Sequence, residues 1–438
     1  MANTKISRTP SSASNRKTFT ISLWFRIGRH PFTDSAGGTS REIIGQTSSS
    51  YFRCMLKSDS TMRIYDESGF NFITNRKFRD HSSFYHIVIR VDTTQSTAND
   101  RVRIYINGVD ERTVGGYSTS TAPSQNQDFA WNTTNVHQIG GHSGNYDYFS
   151  GVMSHIHHCD GTSLAPTVFG SIDSTTGEWQ INTSPTFTPG TNGFTILKDG
   201  NTITDQSANS NNFSLVSGTL TKTEDCPSNV FATMNPLQFN SSSETFSNGN
   251  NTLVSTGGGS WTTHYGFSTL AMGSGKYYVE MKADNTGTSG QSYPIGLIDV
   301  DKNIVSSLED DGLASIRASN GNIVGSSFTN QTGLTAVSAG DILAIAYDGV
   351  NGTLQFYRNG STHGTAITGI DTSKDYYVAC DTYEGSSNFK YNFGNGYFGT
   401  TAVTTNSGNG YAGAEGASKF NYQPLTGYSA LNTKGLNL

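Results

Sequence analysis

Residues 100–108, DRVRIYING, decide how this chain folds. Val102, Ile104 and Ile106 alternate with Arg103 and Tyr105, the two-residue period of a strand with one face in a core. Asn107-Gly108 ends the run, and this pair readily takes the positive φ that a tight hairpin needs. The same grammar recurs upstream in TFTISLWFRIG (18–28), YFRCMLKS (51–58), TMRIYD (61–66) and FYHIVIRVD (84–92). Downstream it returns in NVHQIGG (135–141) and FSGVMSHIHHCDG (149–161). Strands at this spacing, ending near residue 165, describe a β-sandwich.

A second set begins around residue 244. It includes KYYVEMKAD (276–284), SYPIGLIDVD (292–301), DILAIAYDG (341–349), GTLQFYRNG (352–360), DYYVACDTYEG (375–385) and NFKYNFG (388–394). Asn359-Gly360 is again a hairpin turn. Helical periodicity is almost absent. The expectation is all-β: two antiparallel concanavalin A-like sandwiches in series, of jelly-roll type, at 1–165 and 241–398. Between them, 166–240 is rich in Ser, Thr, Asn and Pro but carries apolar anchors at Trp179, Phe194, Ile196, Leu197 and Phe213. A free linker would not carry these, so the segment is read as a connector packed on the first sandwich. Residues 399–438 form an extended, Gly-rich C-terminal arm.

Composition agrees with this architecture. The chain has 438 residues, enough for two or three domains of roughly 100–200 residues each. Only 34% are hydrophobic and 14% charged, with 49 glycines supplying turns for many short strands. Aromatics reach 11% and recur in strand-like runs, which argues against disorder. A net charge of −6 without a Lys/Arg cluster argues against nucleic-acid binding. No run approaches the ~18 apolar residues of a membrane span, and MANTKISRTPSSASNRKTF lacks the apolar core of a signal peptide. Cys54, Cys159, Cys226 and Cys380 lie far apart, so four free thiols are expected.

The motifs carry a resemblance. SRTPSSASNRKTFTISLWFRIG, YHIVIRVD, RVRIYINGV and IGGHSGNYDYFSGVMSHIHHCDGTSLAPTVFG resemble laminin-G-like, concanavalin A-type domains of bacteriophage structural proteins. DSTTGEWQ (173–180), GTNGF (190–194) and CPSNVFATMNPL (226–237) resemble the connector of that group. GKYYVEM, PIGLIDVD, GDILAIAYDGVNGTLQFYRNG and YNFG are similar to a SPRY domain, and FNYQPLTGYSALNT resembles the segment that follows such units. The resemblance implies a virion protein assembled in the bacterial host cytoplasm: a tail fibre, spike or capsid appendage. Such a protein binds host-surface glycan or its virion neighbours and works as a homo-oligomer, a trimer being the first expectation. The alternatives are a purely structural capsid decoration protein and a glycan-active hydrolase. Domains of this kind usually carry a further strand before the RTP stretch. The first sheet is therefore expected to lack an edge strand or to borrow one.

In SGVMSHIHHCDG (150–161), simple alternation places His155, His157 and Cys159 on one strand face. These are zinc-ligand types, with His137 or His142 as a third donor. Their spacing does not fix three ligands locally, so structural histidines on a half-buried strand are expected, with no metal and no cofactor. A glucanase of this architecture needs paired carboxylates on one strand face. Only Glu309 has an aspartate two residues on, Asp311, and SLEDDG reads as a solvated loop, so no enzyme is expected. DVDKN (299–303) reads as a turn capped by two aspartates rather than a calcium loop. Loops and their aromatic rings remain as ligand surfaces. The candidates are Tyr146, Asp147 and Tyr148; Trp261, His264 and Tyr265; and Tyr383 with Glu384.

Overall fold

The computed structural model describes the chain except residues 1–2, 29–39, 48–49, 145, 199–201, 240–242, 257–263, 288–289, 303–306, 384 and 405–409. It is all-β: among the described residues α-helix is confined to Glu111–Val114 and Leu308–Asp311. Two compact units divide the chain. One comprises Met1–Lys222 with Cys226–Ser228, the other Thr223–Asp225 with Asn229–Leu438. Residues 166–222 thus count with the first unit and 229–240 with the second.

The first unit has an eight-stranded antiparallel sheet in the order Tyr117–Thr121, Phe70–Thr74, Met62–Asp66, Phe52–Lys57, Ser40–Thr47, Val136–Ile139, Lys5–Arg8, Ser214–Ser217. Its partner sheet runs Phe194–Ile196, Gly151–Asp160, Thr18–Ile27, Tyr85–Asp92, Val102–Ile106, Val109–Asp110. Phe19, Ile21, Leu23, Phe25 and Ile27 alternate into one core with Phe52, Cys54 and Leu56 of the other sheet. Asn107 and Gly108 both take positive φ, 49° and 78°, as their hairpin requires.

The first sheet borrows no strand from a neighbour among the described residues: its edges are Tyr117–Thr121 and Ser214–Ser217 of this chain, and Lys5–Arg8 lies inside it. Lys5–Arg8 pairs with Val136–Ile139 on one side, and with Ser214–Ser217 on the other. The strand that completes this edge comes from the same chain, some two hundred residues downstream.

His157 and Cys159 share the face that alternation expects, both against Phe169, and the His155 ring lies 6.3 Å from that of His157, although a bulge interrupts the strand just before them. Ser154 pairs with Trp24 but His157 pairs with Ser22, so one extra residue is inserted. This is a β-bulge, and His155, at φ 47°, sits in it. Downstream of the bulge Ile156 points into the core, and His158 packs against the core rings of Phe19 and Phe194. His157 and Cys159 take the other face. That outer face is covered by the connector, where Phe169 packs with Val88 and Cys159, and Leu164, Val168 and Phe187 close around them. Trp179 adds its indole to a stack of Trp24 on His86 (4.5 Å) and His86 on Trp179 (5.9 Å). A sheet covered on both faces explains why Thr20, Ser22, Trp24 and Arg26 are buried along with their apolar neighbours.

The second unit repeats the plan. One sheet runs Glu244–Ser247, Thr252–Ser255, Ser387–Asn392, Lys276–Thr286, Ile342–Asp348, Thr353–Arg358, Ser361–Thr368. The other runs Tyr265–Met272, Tyr376–Asp381, Tyr293–Asp299, Ala314–Ile316, Ile323–Val324. Val279, Met281, Ile295, Leu297, Val378 and Cys380 meet between them. The arm packs back on this unit. Phe420, Tyr428 and Ala430 join Phe231 on Tyr278, Ala344 and Ala346, and Ser429–Ala430 adds a short parallel strand beside Tyr277 and Tyr278.

Candidate functional site

In the first unit the candidate site grows from one strand, Phe52–Lys57. Phe52, Cys54 and Leu56 face the core, so Arg53 must face outward. Its guanidinium is nevertheless buried between two carboxylates. Nε donates to Glu42 Oε2, and Nη2 donates to Asp147 Oδ2 at 2.7 Å. Gln138 Nε2 donates to the other Glu42 oxygen at 3.0 Å, and the Glu42 backbone N–H donates to the Asp147 carbonyl at 2.8 Å. A buried charge must be paired and hydrogen-bonded, and this network meets that demand. Asp147 therefore holds the platform together, and Arg53 holds its carboxylate away from solvent.

The ring of Tyr146 lies beside this network. It stacks on His142 with centroids 4.4 Å apart and planes at 25°, while Tyr51 flanks His142 at 5.9 Å. Tyr146 remains 39% exposed. Gly144 permits the stack, since a Cβ there would meet the Tyr146 ring at 2.4 Å. Burial, aided by the positive charge of Arg53, pushes the His142 imidazole down to about 4. The neutral ring accepts the Gly144 N–H at Nδ1, 3.1 Å away, which closes the hairpin under the aromatic pair. Tyr148 is half-buried with its ring against Gly141, so of the three residues in this stretch Tyr146 is the one that offers an aromatic surface. The exposed Tyr146 ring therefore offers an aromatic surface held rigid by the buried, mutually bonded network beneath it.

The histidines of residues 155–158 are structural. His157 Nδ1 pairs with Thr195 Oγ1 at 3.0 Å and its ring stacks on Phe169. His158 Nδ1 lies 3.2 Å from the Thr20 carbonyl, and its Nε2 receives the Trp131 indole N–H at 3.3 Å. Desolvation pushes both down to about 3, so they are neutral at ordinary pH. Among the described residues no group of three His, Cys, Asp or Glu side chains is placed to hold a metal ion.

In the second unit the strand pairing sets the stretch that carries His264 and Tyr265 beside the one that leads to Tyr383. Tyr265 is opposite Asp381 on the neighbouring strand, and the Thr382 N–H donates to the His264 carbonyl at 2.8 Å. Trp261 and Glu384 lie outside the described residues. His264 is buried: its Nδ1 lies 2.7 Å from Glu244 Oε1, which Thr382 Oγ1 also contacts at 3.2 Å. Tyr265 stands on the outer face of the five-stranded sheet, in a row of rings with Phe267 (5.6 Å) and Tyr377, which stacks on Phe267 at 6.0 Å. Tyr383 is half-buried two residues past the end of the strand Tyr376–Asp381.

Three groups were not singled out from sequence. Asp381 is fully buried, and desolvation pushes its carboxyl well above the ordinary range, against backbone N–H groups of Tyr383 and Leu308. Glu42 and Arg53 pair across a hairpin; a charged residue at the alternate position of each apolar run was the available signal. Glu309, the sequence's one approach to a carboxylate pair, accepts the Tyr293 hydroxyl at 2.5 Å and a guanidinium N–H of Arg317. It belongs to a tyrosine–arginine cluster. Asp299, in the DVDKN stretch, accepts the Asp301 N–H at 3.0 Å and pairs with Lys374, so it caps a turn.

Residues 2–168 match the concanavalin A-like lectin/glucanases superfamily, in its laminin-G-like form. Residues 276–396 match the SPRY domain. No curated protein matches the chain. Among solved structures, the SPRY domain of human HERC1 is similar at 18% identity and a TM-score of 0.30, over 36% of this chain and 96% of that one. The TRIM65 PSpry domain is similar at 13% identity and a TM-score of 0.30, over 37% of this chain and 88% of that one. Stonustoxin is similar at 21% identity and a TM-score of 0.29, over 38% of this chain and 27% of that one. Both matched families are binding-type folds, which suggests a binding or protein-interaction role. The chain carries, in series, a laminin-G-like concanavalin A-like domain and a SPRY domain.

Proposed function

We infer that this chain is a non-enzymatic bacteriophage virion protein, a tail fibre, spike or capsid appendage, whose first sandwich attaches to glycan on the host surface. One observation carries the glycan reading: the exposed Tyr146 ring, stacked on a neutral His142 beside the buried Glu42–Arg53–Asp147 network. The rings and polar groups are held by the fold before any ligand arrives, so little ordering opposes binding. The virion setting is supported by the likeness of the RTP opening, the connector and the post-SPRY segment to phage structural proteins. A homo-oligomer, with a trimer as the first expectation, belongs to this reading, because several weak sugar sites on one particle add through avidity.

The test is adsorption of the full chain to bacterial cells, before and after periodate oxidation of surface glycan, with immunogold microscopy of phage particles. The reading expects label on the particle and adsorption that oxidation abolishes. Adsorption indifferent to oxidation, or antibody that labels no particle, overturns it.

A further inference from the structure

The second unit holds a cavity of about 260 Å³ that neither the exposed rings nor the arm accounts for. Its floor is apolar. Ile367, Ile370 and Tyr376 are 6%, 7% and 2% exposed and belong to the unit's core, and Leu313 packs against them. Its rim is polar and of both signs, with Asp299, Asp311 and Asp371 against Lys302 and Lys374. The rim is also built. Asp299 pairs with Lys374, Tyr376 Oη donates to the Asp371 carbonyl at 2.9 Å, and Ser326 Oγ donates to the Gly312 carbonyl at 2.9 Å.

We propose that this cavity binds one neutral pyranose ring. An anionic ligand would meet three carboxylates on the rim against two ammonium groups, one of them already paired with Asp299. A sugar hydroxyl carries no charge and both donates and accepts. It can therefore bond carboxylate and ammonium around one ring, while the C–H face of the pyranose covers the apolar floor. The volume lies just under the ~300 Å³ at which drug-sized pockets begin, so the cavity takes a single ring rather than an oligosaccharide. So small a ligand binds with a millimolar dissociation constant. This extends the glycan reading to a second site, on the SPRY domain, and rests on that reading.

Saturation-transfer NMR on the full chain tests it, with methyl glycosides of neutral hexoses and N-acetylhexosamines as ligands and glucuronate and inorganic phosphate as comparators. One neutral glycoside should bind, with glucuronate and phosphate roughly tenfold weaker or worse. Ser327→Trp places an indole at the mouth from an exposed loop position and should weaken binding by roughly tenfold with the melting temperature unchanged. Thr368→Trp repeats the block from a second lining position, should the first variant fold poorly. Tyr146→Ala should leave this binding intact. No neutral glycoside bound at tens of millimolar, or charged comparators bound equally well, overturns the proposal. Binding that survives both tryptophans but is lost in Tyr146→Ala also overturns it, while leaving the glycan reading of the first sandwich standing.

Discussion

The Glu280 carboxylate holds the main chain of Tyr422, accepting its N–H at 2.7 Å, and accepts that of Asn421 at 2.8 Å. Asn392 Nδ2 and the Tyr278 hydroxyl also donate to it, at 3.1 and 3.3 Å. This fully buried acid is the polar anchor of the arm. Burial outweighs the donated bonds and lifts its carboxyl to about 7 from an ordinary 4.5. An acid raised on folding stabilises fully below its unfolded value, and the contribution fades as pH rises through the folded one. The second unit should therefore lose stability between about pH 4.5 and 7, by about 3 kcal/mol over the whole range. Chemical denaturation of the second unit as a function of pH should show its midpoint falling across this window. A midpoint that is flat or rises across this window contradicts the assignment.

Apolar contacts complete the arm's anchorage. The Phe420 ring meets Tyr278 edge-to-face at 5.0 Å, in a cluster with Phe231, Ala344, Ala346 and Ala430. Phe420→Ala should cost the second unit about 3–5 kcal/mol, and deleting residues 411–438 should cost more by baring that face. Chemical denaturation would reveal it as a shifted midpoint for the second unit alone. An unshifted midpoint would mean that the arm contributes nothing.

How far this was legible in the sequence depends on range. The hairpins at Asn107-Gly108 and Asn359-Gly360 are local: two residues demand φ above zero and the structure supplies it. Residues 18–28 announced their core face through strict alternation. The bulge at His155 was not legible, because a single inserted residue leaves no composition signal, although His157 and Cys159 share a face as alternation predicts. Nor was the pairing of Lys5–Arg8 with Ser214–Ser217, since a four-residue strand has little pattern and its partner lies two hundred residues away. Of the candidate site, the loop aromatics were visible as rings beside turns. That Asp147 turns in to Arg53 while Tyr146 stays out required the backbone of Asp147, at φ 56°.

The connector's hold on the first sandwich is testable at Trp179. Its indole N–H donates to His86 Nδ1 at 2.9 Å, while Nε2 lies 2.9 Å from Ser22 Oγ. Desolvation keeps His86 near 3, well below the ordinary 6.5, so it stays neutral and the folded state resists its protonation. This contribution to stability is present above pH 6.5 and is lost as pH falls toward 3. Trp179→Ala should open the ring to water, raise its midpoint toward 6.5 and cost about 1–2 kcal/mol. An NMR titration of the His86 ring with no upward movement would show that the connector does not cover it.

Chelation and hydrolysis bear on the remaining chemistry. Stripping divalent metal should leave the melting temperature of both units unchanged, since the histidines of residues 155–158 are satisfied by protein partners. The purified chain should release no reducing sugar from envelope polysaccharide. A midpoint drop restored by zinc alone would contradict the first expectation. Turnover abolished by Glu309→Gln would contradict the second.

The glycan platform itself is tested most directly by displaying the full chain and its Tyr146→Ala variant on the same array of bacterial surface glycans. The account predicts that the natural chain is retained on a defined subset of glycans. Losing the exposed ring should weaken that retention by roughly tenfold, with the melting temperature preserved. Retention that is identical in the two proteins, or absent from every glycan for both, would contradict it.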